Sequence, residues 1–368
     1  MKLLFQGLVR SLLFLSLVCL STTVSTSYPN VEQMFEEIGQ ISIGDATWDV
    51  QVVDNLAYIA DQGNGLTIID VKDPSSPTEV SVFREGTGGP HAIVTNGTIL
   101  YMPDWIDGLE IIDVTDPYTP QKIGQYKDEG QSYDVAFNAH GNIAYVAHED
   151  WGLLILDVSD PRQPKKLGQL NDGGTILQVC SYDNFVFASD MEQGLELIDA
   201  SDPRNPLKVK LFEEYRGVGY IDGTIAYGVT SDNRGVILDI KDIENPIEIS
   251  HFSKFDYIRD IMLVDDIAYI VAYSEGIFVY NISNIDNPIN LGRYNPEGKA
   301  TGIYVVENFI YAVYKEDGLR IIKFDPLGEQ RDQSSDSIPG FEFLIILPCL
   351  IIIPVFNQIK RIIEPRGR

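Results

Sequence analysis

Short runs of alternating apolar and polar residues fill the chain between residues 36 and 326. The first set occupies residues 49–53, 56–60, 65–71 and 79–83. Turn-forming residues separate these runs, among them Asp54, Asn55 and the two prolines Pro74 and Pro77. Alternation with a period of two, bounded by Gly, Pro, Asn and Asp, is typical of β-strands joined by short turns. The pattern predicts an all-β protein whose strands come in sets of four.

Two markers recur in step along the chain, about every 42 residues. An aromatic residue in the second strand of each set stands at Tyr58, Tyr101, Tyr145, Phe187, Tyr227, Tyr269 and Tyr311. The residue that ends the third strand follows at the same intervals at Asp70, Asp113, Asp157, Asp199, Asp239, Asn281 and Lys323. Four strands per unit of about 40 residues are typical of a β-propeller blade. The markers therefore predict seven blades, with the aromatic residues in the core.

The third strand and its turn carry a recognisable motif. Its form is Gly-Leu-x-Ile-Ile-Asp-Val-x-Asp-Pro, at 65–74, 108–117, 152–161 and 194–203. This motif resembles the LVIVD repeat, a propeller-forming unit of prokaryotic surface and secreted proteins. Later blades depart from it, since Asn281 replaces the aspartate in blade six and Lys323 replaces it in blade seven. The resemblance covers residues 36–326 and implies the propeller fold, but it implies little about activity.

Blade seven lacks a fourth strand, because its pattern stops at Asp325-Pro326. The missing pattern stands at the other end of the repeats, in Ile38-Gly39-Gln40-Ile41. We predict that residues 36–42 pair beside blade seven and close the ring, which removes an exposed sheet edge.

The N-terminal segment, residues 1–27, has the order expected of a secretory signal peptide. Lys2 and Arg10 precede an apolar run over residues 12–20, and small and hydroxyl residues follow. The alternative is an uncleaved N-terminal anchor. If the signal is cleaved, we expect the propeller to lie outside the cell.

The C-terminal segment predicts a membrane anchor. Residues 341–356 are nearly all apolar, and Lys360 and Arg361 follow them, as expected on the cytoplasmic side. We therefore assign residues 327–339 to a stalk, 340–359 to a transmembrane helix and 360–368 to a basic cytoplasmic tail. A buried core helix is the alternative. Pro339-Gly340-Phe341 resembles the C-terminal sorting signal of archaeal surface proteins, which implies that the anchor could be exchanged for lipid.

Charge narrows the range of partners. The chain has 54 acidic and 27 basic residues, a formal net charge of −27. Nucleic acids and anionic lipids attract positive charge, so neither is expected as the main partner, and we expect membrane contact only through the C-terminal helix. Three cysteines are too few for a disulfide framework or a Cys-based zinc site.

One register at the start of the innermost strands is polar but varies between blades. Its members are Asp49, His91, Asp134, Gln178, Gly217, Asp260 and Gly302. Near the mouth of a central channel, three carboxylates and a histidine could bind a cation such as Ca²⁺. The alternative, which we favour, is that they cap backbone amides between blades. We therefore predict no metal or other cofactor. The recurring Asp-x-x-Asp pairs, such as Asp70 and Asp73, are also expected to cap turn amides rather than bind calcium.

The three tryptophans lie in blades one to three near the same face. Trp48, Trp105 and Trp151 are the only tryptophans, and the loops that hold Trp105 and Trp151 also carry acidic residues and His148. Exposed aromatic side chains beside carboxylates suit a sugar or a partner protein. The alternative is that they only cover the blade ends. The predicted ligand-binding set is thus Trp48, Asp49, His91, Trp105, Asp134, His148, Trp151, Gln178 and Asp260. Asn96 and Asn281 match N-glycosylation acceptors.

No catalytic motif accompanies these residues. The sequence has no Gly-x-Ser-x-Gly elbow, phosphate loop or His-Glu-x-x-His segment. We therefore expect a membrane-anchored, cell-surface protein that binds a protein or carbohydrate ligand without catalysis. The rival hypothesis is a surface hydrolase or lyase that uses Asp49, Asp134 and Asp260 as acid and base.

Overall fold

The computed structural model describes residues 34–44, 46–84 and 88–326. Within these residues the chain is all-β and forms seven antiparallel sheets of four strands, arranged as the blades of a propeller. The predicted fold class is confirmed for this part of the chain. The predicted signal peptide, stalk, transmembrane helix and cytoplasmic tail (1–27, 327–339, 340–359 and 360–368) lie outside the described residues. Among the described residues, no helix has the length and apolar character needed to cross a membrane.

The first four blades follow one another along the chain. Blade one contains β2 (Thr47–Val53), β3 (Leu56–Asp61), β4 (Gly65–Asp70) and β5 (Thr78–Phe83). Blade two contains β6 (Val94–Asn96), β7 (Ile99–Pro103), β8 (Leu109–Asp113) and β9 (Gln121–Tyr126). Blade three contains β10 (Asp134–Phe137), β11 (Ile143–Ala147), β12 (Leu153–Asp157) and β13 (Lys165–Leu170). Blade four contains β14 (Ile176–Tyr182), β15 (Phe185–Asp190), β16 (Gly194–Asp199) and β17 (Leu207–Phe212).

The last three blades complete the ring. Blade five contains β18 (Tyr215–Asp222), β19 (Ile225–Thr230), β20 (Arg234–Asp239) and β21 (Ile247–Lys254). Blade six contains β22 (Ile258–Val264), β23 (Ile267–Ala272), β24 (Gly276–Asn281) and β25 (Ile289–Tyr294). Blade seven contains β26 (Ala300–Val306), β27 (Phe309–Tyr314), β28 (Gly318–Phe324) and the N-terminal strand β1 (Phe35–Ile41).

The N-terminal strand closes the ring, as the sequence predicted for residues 36–42. β1 runs antiparallel to β28, with Phe35 opposite Phe324 and Ile41 opposite Leu319. Glu37 also forms an ion pair with Arg320 of β28, at 3.0 Å between Oε2 and Nη1. Both ends of the repeat region are therefore held in one blade.

The core lies between neighbouring blades. The seven aromatic residues of the second strands are all buried, with at most 5% of their surface exposed. Tyr58 of blade one, for example, belongs to the same apolar cluster as Ile93, Leu100 and Met102 of blade two. The predicted core position of these aromatics is confirmed.

The aspartates at the end of the third strands cap turns, as predicted. Asp70 Oδ1 accepts a hydrogen bond from the amide of Lys72, and Asp73 Oδ1 accepts one from the amide of Ser75. The same bonds recur at Asp113, Asp116, Asp157, Asp160, Asp199, Asp202 and Asp239. These carboxylates therefore stabilise the turn before and after each proline.

Candidate functional site

Aspartates at the start of three innermost strands join each blade to the next. Asp49 accepts the amide of Val50 at 2.7 Å and the amide of Ile93, in blade two, at 2.8 Å. Asp134 likewise accepts the amides of Val135 and, in blade four, Val179, at 2.8 and 2.9 Å. Both oxygens of each carboxylate are thus engaged by backbone donors.

Asp260 follows the same pattern between blades six and seven. Its Oδ2 lies 3.3 Å from the amide nitrogen of Ile303. The capping interpretation therefore describes all three aspartates of this register. Within the described part of the chain, no group of three His, Cys, Asp or Glu side chains is arranged to hold a metal ion.

The three aspartates share a low-polarity environment around the channel. Burial, together with the nearby charges of Asp260 and Asp134, raises the pKa of Asp49 to about 8, against the lowering effect of its two amide hydrogen bonds. Burial also raises the pKa of Asp134 and Asp260 to about 6. The three aspartates together therefore carry less negative charge near neutral pH than three ordinary carboxylates would.

A cavity of about 350 Å³ opens at the mouth of the channel, and side chains from all seven blades line it. Among them are six of the predicted site residues, namely Trp48, Asp49, His91, Asp134, Gln178 and Asp260. These six positions, which come from five blades, therefore line one cavity. Tyr133, Asp190, Arg216, Tyr257 and Arg259 also line the cavity.

Cations and aromatic rings alternate along one side of this mouth. Arg216 lies over the ring of Tyr257 at 4.5 Å, and Arg259 lies over the ring of Trp48 at 5.1 Å. Arg259 is also 5.9 Å from the centre of the Tyr257 ring, and Lys315 is 4.8 Å from that of Trp48. We call Arg216, Tyr257, Arg259, Trp48 and Lys315 the cation–aromatic ladder.

The ladder continues into a row of rings on the other side of Trp48. The Trp48 and His91 rings lie 5.2 Å apart, and the His91 and Tyr133 rings lie 4.8 Å apart. Burial, together with the charges of Arg259 and Lys315, lowers the pKa of His91 to about 4. His91 is therefore neutral near pH 7 and offers one donor and one acceptor nitrogen.

The sequence prediction did not point to three residues of the cavity lining, Arg216, Tyr257 and Arg259, or to Lys315, which lies over the ring of Trp48. A signal was available for two of them, because Arg216 and Arg259 directly precede Gly217 and Asp260 of the polar register. Trp48 and Tyr133 hold the same place before Asp49 and Asp134. The position before the register is thus the one that supplies the mouth with aromatic and basic groups.

The other predicted site residues lie outside the cavity lining, in loops of blades two and three. His148 is buried, with Nε2 2.7 Å from Asp128 Oδ1 and Nδ1 3.3 Å from Ser132 Oγ. Trp105 is half-buried and donates its indole N–H to Gln131. Trp151 is 39% exposed and stands edge-on to His148. A binding role for Trp105, His148 and Trp151 stays a prediction, separate from the mouth.

The two predicted glycosylation acceptors differ in accessibility. Asn96 is exposed at the end of β6, beside the turn at Gly97. Asn281 is half-buried, and its side-chain oxygen accepts hydrogen bonds from the amide and hydroxyl of Ser283. Asn96 is therefore the more accessible acceptor.

These features define the protein as a seven-bladed β-propeller with a polar, aromatic-lined channel mouth. The model of the LVIVD repeat matches residues 43–84, 91–128, 129–172, 173–212 and 297–323, more than half of the chain. The chain belongs to the LVIVD-repeat family.

Other comparisons add information about the fold alone. A search of the curated proteins found no match. Among solved structures, the chain is similar to the computationally designed Ika8 protein, with 10% sequence identity and a TM-score of 0.59. That alignment covers 79% of this chain and 100% of the designed one. At this identity the likeness concerns the architecture only.

Proposed function

We propose that this protein is a non-enzymatic, cell-surface binding protein that takes a protein or carbohydrate ligand at the mouth of its central channel. The observation that carries the proposal is the set of groups from several blades that meet at the mouth cavity. Trp48, Tyr133 and Tyr257 offer aromatic rings, and Arg216 and Arg259 offer charged donors in the same lining. Aromatic rings beside hydrogen-bonding groups suit a sugar ring or a side chain of a partner protein.

Binding is better supported than hydrolysis at this site. A general base needs an oxygen within hydrogen-bond reach of the proton that it removes. Asp49 and Asp134 direct both of their oxygens to backbone amides of two blades. This engagement favours a structural role for the carboxylates over acid–base catalysis.

An array of defined oligosaccharides and peptides tests the binding proposal. We expect full-length protein to bind members of one class, and the double variant Tyr257→Ala, Arg259→Ala to lose that binding. Arg293→Ala is the matched control, because Arg293 also lies over an aromatic ring, that of Phe278, but outside the cavity lining. Equal binding by all three proteins would contradict a site at the mouth.

The proposed location rests on the two ends of the sequence. The order of charged, apolar and small residues over 1–27 supports export, and the apolar run over 341–356 before Lys360 and Arg361 supports a membrane anchor with a cytoplasmic tail. Protease added to intact cells is expected to degrade the propeller and leave a C-terminal tag protected. A propeller that is degraded only after cell lysis would contradict this location.

A further inference from the structure

The mouth cavity carries an inference about the class of its ligand, which rests on the proposed function. We propose that the cavity binds a carboxylated sugar, such as a uronic acid residue, whose carboxylate is held by Arg259, with Arg216 and Lys315 on either side of it adding positive charge. The ladder supplies the positive charge, and the polar atoms around it supply partners for hydroxyl groups.

The three cations lack acidic partners at ion-pair distance. Several other basic residues pair with carboxylates, for example Lys208 with Glu196 at 2.8 Å and Arg234 with Glu248 at 2.8 Å. Among the described residues, no carboxylate oxygen lies within 4.0 Å of a side-chain nitrogen of Arg216, Arg259 or Lys315. In a protein with a net charge of −27, three such cations at one opening indicate a site for an external anion.

The aromatic rings hold these like charges together. Each cation lies over a ring face at 4.5 to 5.1 Å, where the ring quadrupole attracts it. A guanidinium over a ring keeps its N–H edge available, and that edge matches a carboxylate with two parallel hydrogen bonds. The ladder is therefore arranged for an anion before the anion arrives.

The aspartates of the cavity lining do not form ion pairs with the ladder among the described residues. Asp49 and Asp134 turn their oxygens to amides of their own and the next blade, and Asp260 reaches the amide of Ile303. The charge of Arg259 counters the effect of burial on the pKa of Asp134 and Asp260, without an ion pair to either. Arg216 Nη1 donates to Asn233 Oδ1 at 3.0 Å, so Arg259 is the guanidinium with more of its N–H groups available to a ligand.

The remaining groups favour a sugar over a simple inorganic anion. The carboxylate of Asp190 belongs to the cavity lining and would repel a bare anion. The neutral imidazole of His91 and the amide of Gln178 line the same cavity and can form hydrogen bonds with sugar hydroxyl groups. A cavity of about 350 Å³ lies at the lower end of the range for small-molecule sites, which suits one or two sugar rings better than a long chain.

Titration calorimetry with full-length protein tests the inference. The probes are galacturonate and glucuronate disaccharides, with the corresponding neutral galactose and glucose disaccharides as the comparison. We expect the acidic sugars to bind, and Arg259→Gln to weaken that binding at least about tenfold because one charged, two-bond contact is lost. Arg293→Gln is expected to bind as the wild type does. Lys315→Gln is a second variant, and circular dichroism checks that each variant is folded.

The outcomes separate this inference from the proposed function. Equal affinity for acidic and neutral disaccharides would overturn the anion inference and leave the binding site at the mouth in place. Binding of inorganic phosphate or of an acidic peptide, but not of the uronates, would overturn the sugar assignment. If no uronate binds, the inference fails, and loss of array binding in the Tyr257→Ala, Arg259→Ala variant would still support the proposed function.

Discussion

At the scale of single residues, one aspartate side chain links two blades through hydrogen bonds. Asp49 accepts one amide hydrogen bond from its own strand and one from the next blade, and Asp134 does the same in blade three. In blade seven, where this register holds a glycine instead of an acid, a neighbouring residue makes the hydrogen bond to the next blade. Gly302 has no space for a side chain, because a Cβ would lie 2.9 Å from the carbonyl oxygen of Trp48, and the hydroxyl of the preceding Thr301 bonds the carbonyl of Thr47 instead.

The raised pKa of Asp49 predicts a pH-dependent contribution to stability. Its pKa is about 8 in the folded protein against 3.8 for an ordinary aspartate, so between these values the folded state holds a proton that the unfolded chain has released. Its contribution is therefore fully present below about pH 4 and is lost as the pH rises through about 8. We expect the free energy of unfolding in urea to fall between pH 5 and pH 8, and to fall less in Asp49→Asn.

Asp202→Asn is the control for this measurement. Asp202 is exposed in a turn, and its hydrogen bonds to Asn205 and Arg204 lower its pKa, so it is ionised throughout the window from pH 5 to pH 8. We expect that variant to keep the wild-type slope. Identical slopes in wild type and Asp49→Asn would show that Asp49 titrates normally.

At the scale of elements, the fourth strand of each blade touches the next blade at one register. A Cβ on Gly39, Gly124 or Gly168 would lie 2.0 to 2.3 Å from the carbonyl oxygen of Pro74, Pro161 or Pro203, respectively. Ser81 holds the same place in blade one and donates its hydroxyl to the carbonyl of Pro117 at 2.6 Å. The outermost strand therefore does more than end its own sheet, because it fixes the spacing to the neighbouring blade.

Gly124→Ala is expected to destabilise the propeller. The added methyl group must displace the Pro161 carbonyl, which is backbone, so the blades must move apart. The expected loss is about 1–3 kcal/mol in the free energy of unfolding, as for other overpacked sites. Thr78→Ala, at the exposed start of β5, is the control and is expected to change stability little. An unchanged melting temperature in Gly124→Ala would contradict close contact between these blades.

The repetition of the blades explains how much of the fold could be predicted from the sequence. Blades were predictable because each marker recurs seven times, so a single divergent position such as Lys323 does not obscure the period. Even the closing strand was placed within one residue, since Gly39 repeats the position of Gly124 and Gly168. The capping of the next blade by Asp49, Asp134 and Asp260 followed from their shared register.

The cation–aromatic ladder could be predicted only in part, because the position before the polar register marks Arg216 and Arg259 but not Lys315 or the rings that the three cations contact. Arg216, Arg259 and Lys315 each occur once, on blades five, six and seven, and each is an ordinary basic residue in its local segment. Only the arrangement of the blades around the channel brings these three cations to the aromatic rings of Tyr257 and Trp48. Repetition therefore reveals the scaffold, and the site consists of residues that depart from the repeat and meet only in space.

At the scale of the whole molecule, the first and last strands of the ring hold each other. β1 pairs along the length of β28, and Met34, just before it, is buried in a cluster with Leu291 and Phe324 of blades six and seven. Separating any two blades therefore requires breaking an intact sheet or a packed interface. We expect the propeller to unfold as one cooperative unit.

Deletion of residues 34–42, with the preceding residues retained, tests this closure. The deletion uncovers the edge of β28 and removes the apolar contacts of Met34, Phe35, Ile38 and Ile41, so we expect a loss on the order of 5 kcal/mol and association through the free edge. Light scattering would show oligomers in place of a monomer. A synthetic peptide with the sequence of residues 34–42 is expected to restore the monomer and raise the melting temperature, whereas a scrambled peptide is not. A deleted protein that stays monomeric with the wild-type melting temperature would show that the ring does not depend on its N-terminal strand.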